Sequence, residues 1–501
     1  MNAMRLWLWS LSLFSATLTL HTRHNTFPFY YHQDEPGKVE QVLGIRPWNF
    51  HHPMLLLSTT KLVASNARTE QTVVEAGRWV SATFTAGAVV ALSLLGYVWR
   101  GWLVAILTGI TLLLHHQLFE LSHYLKEDPA LLFGIAIALL GAHVFARKPG
   151  TAAALLLGTG CGLAISGKYL GVVSLLFAVP VLWRTQAHGR PRIAALSAML
   201  LVLVAVNFPL LRDPATFIHS VSHETEQIVE GHGKMTQSVP HTRYWNVFLA
   251  NTTPAMWLLL LVLLWSCARH RREWRTLDWI TLAFPFALAI ALSFSPKDND
   301  RYFLPATAIF TLLSAVGVVE VARHFDERKR IVEIIAGTLL VLAQLPSWTA
   351  NRGGLIKYWQ AFQSDDNAEL VAWLRTNTAP AAIIAKDEKI RLPEVRRHGI
   401  ALPVALLPNQ ILSKEYVADL SKSKSIDGLR AMGVSYILIT DNTYKTFERT
   451  GMKPKKSEAD DYERRKLFYA ELQRDYEPLR TWPRSNVISL HPGIKIYCIA
   501  P

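Results

Sequence analysis

The sequence predicts a polytopic α-helical membrane protein of about eleven transmembrane helices, followed by a small α/β domain outside the membrane. Three observations carry this. Hydrophobic residues make up 50% of the chain and charged residues only 18%, which is more apolar than a soluble domain needs. The apolar residues gather in runs near the roughly 17 to 25 residues that cross a bilayer. After Trp348 the composition turns soluble, dividing the chain into a transmembrane module, 1–348, and a soluble domain, 349–501.

In chain order the expected crossings are 5–20, 77–98, 102–118, 129–146, 151–167, 169–183, 193–212, 248–267, 279–296, 302–320 and 331–348. The fifth and sixth are short, and the alternative is one long tilted span. Charge favours the split. With eleven crossings Arg5, Arg100, Arg147-Lys148, the cluster of Arg184, Arg190 and Arg192, Arg269 to Arg275, and Arg323 to Arg330 all fall on one side, the cytoplasmic one by the positive-inside rule. Merging the two runs would move the last clusters outside. The same clustering accounts for the formal charge of +14 without a nucleic-acid partner. The first run has the length of a signal-peptide core but lacks a convincing small-x-small site, so it is read as a retained anchor with a cytoplasmic amino terminus. Cys161, Cys267 and Cys498 suggest no disulfide framework.

The opposite, external face then receives 21–76, 119–128, the turn at Lys168, 213–247, 297–301 and everything after about 349. Two surface helices are expected in the first loop, at 38–43 and 53–64. In the tail, helices at 367–376, 426–432 and 457–474 alternate with strands at 381–385, 434–440 and 494–499, an α/β pattern with no catalytic motif and a stabilising or docking role.

Chemistry-bearing residues collect on that face. Asp34 and Glu35 follow the first apolar run; a carboxylate against apolar walls gains basicity suited to general-base work, while the alternative is a solvated turn closed by Pro36-Gly37. Asp128 precedes Pro129 and reads either as a helix cap or as a second carboxylate facing Asp34 and Glu35 across a cavity; Lys126 and Glu127 beside it read as solvated. Arg78 could snorkel to the interface or pair with a carboxylate of the first loop. His51-His52 offers too few ligands for catalytic zinc. The 162–168 segment imitates a phosphate-binding loop, but Tyr169 stands where Ser or Thr is needed, which leaves Lys168 to snorkel or to hold a lipid-linked phosphate. Arg301, before Tyr302, is a candidate phosphate ligand or an interfacial anchor. His219, His223, Glu224, Glu226, His232 and His241 populate the 213–247 loop, which could carry a metal pair, act as a lid, or be mobile.

In this order the residues resemble the GT-C superfamily of membrane glycosyltransferases, nearest to the family 39 type that includes protein O-mannosyltransferases and the bacterial aminoarabinose transferases of lipid A. The resemblance rests on Asp34-Glu35, His52-Pro53, Arg78, Lys126-Glu127-Asp128, Gly167-Lys168-Tyr169 and Arg301-Tyr302-Phe303-Leu304-Pro305. It covers about 5–320, and the α/β tail is similar to those of bacterial members. The usual small-Pro-Asp approach to the second-loop aspartate is here Lys-Glu-Asp.

The resemblance implies inverting transfer from a polyprenyl-phosphate sugar to a lipid, glycan or protein acceptor on the extracytoplasmic face. Asp34 would be the base, with Glu35 or Asp128 helping to position the acceptor. Lys168 and Arg301 would stabilise the departing phosphate, and Tyr169, Tyr302, Arg78, His52 and Lys126 would complete the substrate site. No cofactor is demanded, although the carboxylates could hold a divalent cation. The expected location is a bacterial inner membrane with a periplasmic tail, in contact with membrane lipids. The competing reading is a transporter or flippase of a lipid-linked or anionic substrate; the absence of evident repeated halves and the crowding of charge on one face speak against it.

Overall fold

The structure, a computed structural model, describes residues 3–184, 189–231, 236–239, 243–297, 299–348, 353–378, 382–387, 390, 394–397, 400–403, 425–449 and 452–500. His232 and His241 lie outside them.

The helices of the first module follow the expected runs with sharper ends. Helix Glu70–Arg100 starts at a Thr69–Thr72 capping box and stops where Gly101 takes a φ of 94°. At about 1.5 Å per residue it is longer than the ~30 Å hydrocarbon layer requires, so it extends past that layer. Helix Asp128–Arg147 has Pro129 in its first turn. Glu127, rather than Asp128, occupies the capping position, and it makes no side-chain cap bond. Both first-loop helices are present, at Glu35–Leu43 and Leu55–Val63.

Among the described residues, five helices are long and apolar enough to cross a membrane, or seven if each bent pair is one span. The eleven crossings are therefore not all matched by helices of spanning length. Breaks in the helices account for part of the shortfall; the expected crossings at 5–20 and 331–348 are helices Ala3–His21 and Lys329–Leu342, neither of which is among the spans. Trp102–Leu113 bends by 55° into His116–Ser122, and Tyr244–Ala250 turns by 106° into Pro254–Arg269, where proline forces a new start. Thr151–Gly167 and Tyr169–Trp183 remain separate short apolar helices, divided at Lys168.

Helix Leu304–Ala322 is the bundle's centre: 94% of the apolar window of the span containing it is buried, against 11% for Gly189–Val206 at the periphery. Helices Asp128–Arg147 and Thr151–Gly167 pack backbone to backbone. A Cβ on Gly134 would lie 2.1 Å from the Ala164 nitrogen, and one on Gly160 would lie 2.2 Å from that of Ala138. This contact fixes Asp128 and Lys168, at facing ends of the two helices, within reach of each other.

The carboxy-terminal part holds a four-stranded sheet in the order 383–386, 434–440, 494–498, 478–482; the first pair is parallel and the others antiparallel. Helices Asp366–Asn377, Ile426–Ala431 and Ala459–Asp475 accompany it. Two contacts lead back toward the first module. The short strand Thr236–Ser238 pairs antiparallel with Met452–Pro454. An aromatic cluster joins Tyr31, Phe119 and Tyr124 to Tyr358 and Phe362.

Candidate active site

The turn before helix Glu35–Leu43 sends two adjacent carboxylates in different directions. Glu35 points inward and is fully buried, its oxygens accepting from Arg78 Nε at 2.9 Å and Nη2 at 2.6 Å, and from the Leu125 amide at 2.8 Å. The remaining Arg78 donors reach the carbonyls of Asn25 and Phe27 at 2.8 and 2.6 Å, and its guanidinium lies 3.6 Å from the Phe27 ring centre. Arg78 thus pairs with the loop carboxylate, as one sequence alternative had it. It is fully buried and is not among the residues lining the cavity that Asp34 faces.

Asp34 points outward. Its carboxylate contacts the Lys126 ammonium and Arg301 Nη1, the latter at 3.1 Å, and the side chain keeps 32% of its surface exposed. It faces a cavity of about 550 Å³ also lined by Lys38, Gln41, His51, His52, Glu127, His223, Glu224 and Arg301. Burial alone would raise the Asp34 carboxyl, but Lys126, His32 and Arg301 outweigh it and hold the group well below the usual carboxylate range. The raised basicity expected from apolar walls is therefore not what this structure contains. Cations, not hydrocarbon, surround the group.

Behind Arg301 lies Asp128, fully buried. Its Oδ1 accepts from Lys168 Nζ at 2.6 Å, and its Oδ2 stands 3.8 Å from Arg301 Nε. Neither Oδ2 nor Arg301 Nε has a hydrogen-bond partner. Asp34 and Asp128 are thus linked through Arg301 rather than facing each other across open space. The Lys168 ammonium also sits 4.0 Å from the Tyr302 ring centre, within cation–π range. Tyr169 donates to the Phe50 carbonyl at 2.8 Å and so ties this corner to the first loop.

Lys126 and Glu127, expected to be solvated, are buried. Burial and Arg301 draw the Lys126 ammonium below the ordinary lysine range against the pull of Asp34. Glu127 Oε1 pairs with Lys38 Nζ at 2.6 Å. His52 lies 4.0 Å from the other oxygen, and burial takes its pKa down to about 4, leaving it neutral at physiological pH. Helix Pro214–Glu230 occupies the first part of the 213–247 loop, bringing His223 and Glu224 to the cavity wall, where Glu224 accepts from Lys297 Nζ at 2.7 Å. Among the described residues no group of three His, Cys, Asp or Glu side chains is placed to share a metal ion.

Sequence reasoning missed Lys38, Lys297 and the partnership of Glu127. Lys38 carried a signal. It lies four residues after Asp34 in a short helix, so the two side chains share a face.

The model of the dolichyl-phosphate-mannose-protein mannosyltransferase family matches residues 30–215. The matched segment contains Asp34, Glu35, Arg78, Lys126, Asp128 and Lys168. Arg301 and Tyr302 fall beyond it. No curated protein matches the chain by sequence. Among solved structures it is similar to ArnT from Cupriavidus metallidurans bound to undecaprenyl phosphate, with 13% identity over 99% of this chain and 98% of that one and a TM-score of 0.49. It is also similar to the apo oligosaccharyltransferase of Archaeoglobus fulgidus, with 11% identity over 88% and 70% and a TM-score of 0.47. The Pmt1-Pmt2 complex of S. cerevisiae bound to the sugar donor gives 20% identity over 48% and 38% and a TM-score of 0.34.

Proposed function

We propose that the protein transfers a sugar, with inversion, from a polyprenyl-phosphate donor to a lipid, glycan or protein acceptor on the extracytoplasmic side of a bacterial inner membrane. In this reading the amino terminus is cytoplasmic and the carboxy-terminal α/β domain periplasmic. The observation that carries the proposal is the placement of Asp34: a cavity-facing carboxylate whose partner Arg301 also lines the cavity, within reach of a phosphate there, with the buried Lys126 ammonium behind them.

The acceptor's nucleophilic atom attacks the anomeric carbon from the face opposite the phosphate. The carbon–oxygen bond to phosphate breaks, the electron pair leaves with the lipid phosphate, and the acceptor proton passes to Asp34. Arg301, Lys126 and Lys168 are fixed, largely buried cations and balance the charge that grows on the leaving oxygen without reorganising. The depressed basicity of Asp34 fits a donor-first order. A bound phosphate shares Lys126 and Arg301 where they stand, its negative charge offsets theirs at the carboxylate, and the basicity of Asp34 rises when the sugar is in place. Tyr302 holds Lys168 in position, Asp128 orients Lys168 and Arg301, and Glu35 with Arg78 braces the turn. This scheme requires no metal, because the fixed cations do the charge compensation a divalent ion would otherwise supply.

The test is reconstitution of the full chain in vesicles with labelled polyprenyl-phosphate sugars and envelope extract as acceptor. Label moving from donor to acceptor is the expected result. Lipid redistribution across the bilayer without transfer would replace this reading by a flippase, and comparing envelope mass spectra with and without the gene would identify the acceptor.

A further inference from the structure

The catalytic turn is bolted at one end by Glu35 and Arg78. Its other end is held from the distant carboxy-terminal half. Tyr31, three residues before Asp34, is buried in the aromatic cluster with Tyr124 and Phe362, and its hydroxyl donates to Asp365 Oδ2 at 2.6 Å. Burial and the Asp365 carboxylate push the phenol above its ordinary pKa, so it remains a donor. Asp365 is itself immobilised. Its Oδ1 accepts from the amides of Asn367 at 2.9 Å and Ala368 at 3.2 Å, capping helix Asp366–Asn377. The next residue, Asp366, pairs with His491 Nδ1 at 2.9 Å. Between the two anchors run only His32, Gln33 and Asp34, in a turn closed by the Glu35 amide on the His32 carbonyl at 3.1 Å. The Asp34 side chain makes no cap bond to the helix it precedes. Its position is therefore set by the anchors at either end, by the His32 ring, which packs 4.6 Å from that of Tyr124 and accepts from the Asp34 amide at 3.2 Å, and by the cations it contacts.

We infer that Asp365 is a positioning residue for the transfer: through Tyr31 it fixes the turn that presents Asp34 to the acceptor. The inference rests on the reading of Asp34 as base. It gives the carboxy-terminal half a part in catalysis without a reacting group of its own. A carboxylate base must lie within hydrogen-bond reach of the proton it takes, and displacement by an ångström costs up to about a hundredfold in rate. Losing one of two anchors allows a shift of that order.

The test uses the full-length protein in vesicles with a labelled polyprenyl-phosphate sugar. Tyr31→Phe removes only the hydroxyl and leaves the helix cap intact; kcat should fall about tenfold while the donor KM stays within about twofold and the thermal midpoint is held. Asp365→Ala should lose at least as much. Asp365→Asn, which can still cap the helix and accept from Tyr31, should retain most of kcat, and adding it to Tyr31→Phe should cost little more. An unchanged kcat in Tyr31→Phe beside an inactive Asp34→Asn overturns this inference alone, as does a loss that tracks the thermal midpoint with Asp365→Asn as damaging as Asp365→Ala. An active Asp34→Asn overturns the base reading and this inference together.

Discussion

Asp34 and Glu35 are neighbours in sequence and opposites in environment. Glu35 is wholly enclosed and spends both oxygens on Arg78 and a backbone amide, whereas Asp34 keeps about a third of its surface on the cavity and is contacted by cations that have other calls on them. A closed pair in a low-dielectric site cannot exchange partners without leaving a bare charge. An open pair at a cavity wall can. The difference teaches that the Asp-Glu motif divides its labour, one carboxylate locating the turn and the other, in the proposed mechanism, taking the proton.

Arg78→Met should break the closed pair most severely. Leaving Glu35 buried without its guanidinium should cost about 3–5 kcal/mol, read as a large drop in thermal midpoint in detergent. Adding Glu35→Leu removes the stranded charge and should recover a substantial part of that loss while activity stays low, because the turn is no longer located. If Arg78→Met were as stable as the parent, Glu35 and Asp34 would not differ in the way described.

Lys126→Met probes the open pair. Donor affinity should fall about tenfold, the effect of one charge-assisted contact, with a change in thermal midpoint much smaller than that of Arg78→Met. Direct binding of a polyprenyl phosphate to the purified protein measures it. Equal destabilisation by the two variants would erase the distinction.

A smaller effect concerns pH. Burial lowers the pKa of Lys126, with Arg301 adding to it, and burial also lowers that of Lys168. Each would bind phosphate as the ammonium, so donor affinity should be full at acidic pH and begin to fall near neutrality, as pH passes about 7 for Lys126 and about 8 for Lys168. It should decline as pH rises through these lowered values, earlier than an ordinary lysine would give. Asp34, held well below the usual range, stays ionised throughout and adds no acidic limb to donor binding. Lys126→Arg should move the alkaline decline upward.

The sequence made the helical module legible because apolar runs and basic clusters are long-range signals that survive bends. The break of the 102–118 run near His115 and the turn of the 248–267 run at Pro254 were missed, although His115-His116-Gln117 and Asn251-Thr252-Thr253-Pro254 interrupt the apolar runs at those points. In the tail the expected strand at 434–440 and helix at 367–376 appear as Val434–Thr440 and Asp366–Asn377, whereas the edge strand Pro478–Trp482 was not expected. Within the site, residue identity carried further than residue environment. Lys126 and Glu127 looked solvated because three charges in a row normally are, yet each has a partner supplied by the first loop or its helix, in Asp34 and Lys38. The surroundings of Asp34 were illegible for the same reason: its cations come from positions 126 and 301, far apart in the chain.

The central claim is that Asp34 accepts the proton and is not needed to hold the fold. Asp34→Asn, measured for single-turnover transfer, donor binding and thermal midpoint on one preparation, tests it most directly. The account predicts that transfer falls at least a hundredfold while donor binding and the midpoint are retained or raised, because Lys126 and Arg301 are freed for phosphate. Transfer at the parent rate, or a loss of transfer explained by a loss of folded protein, would contradict it.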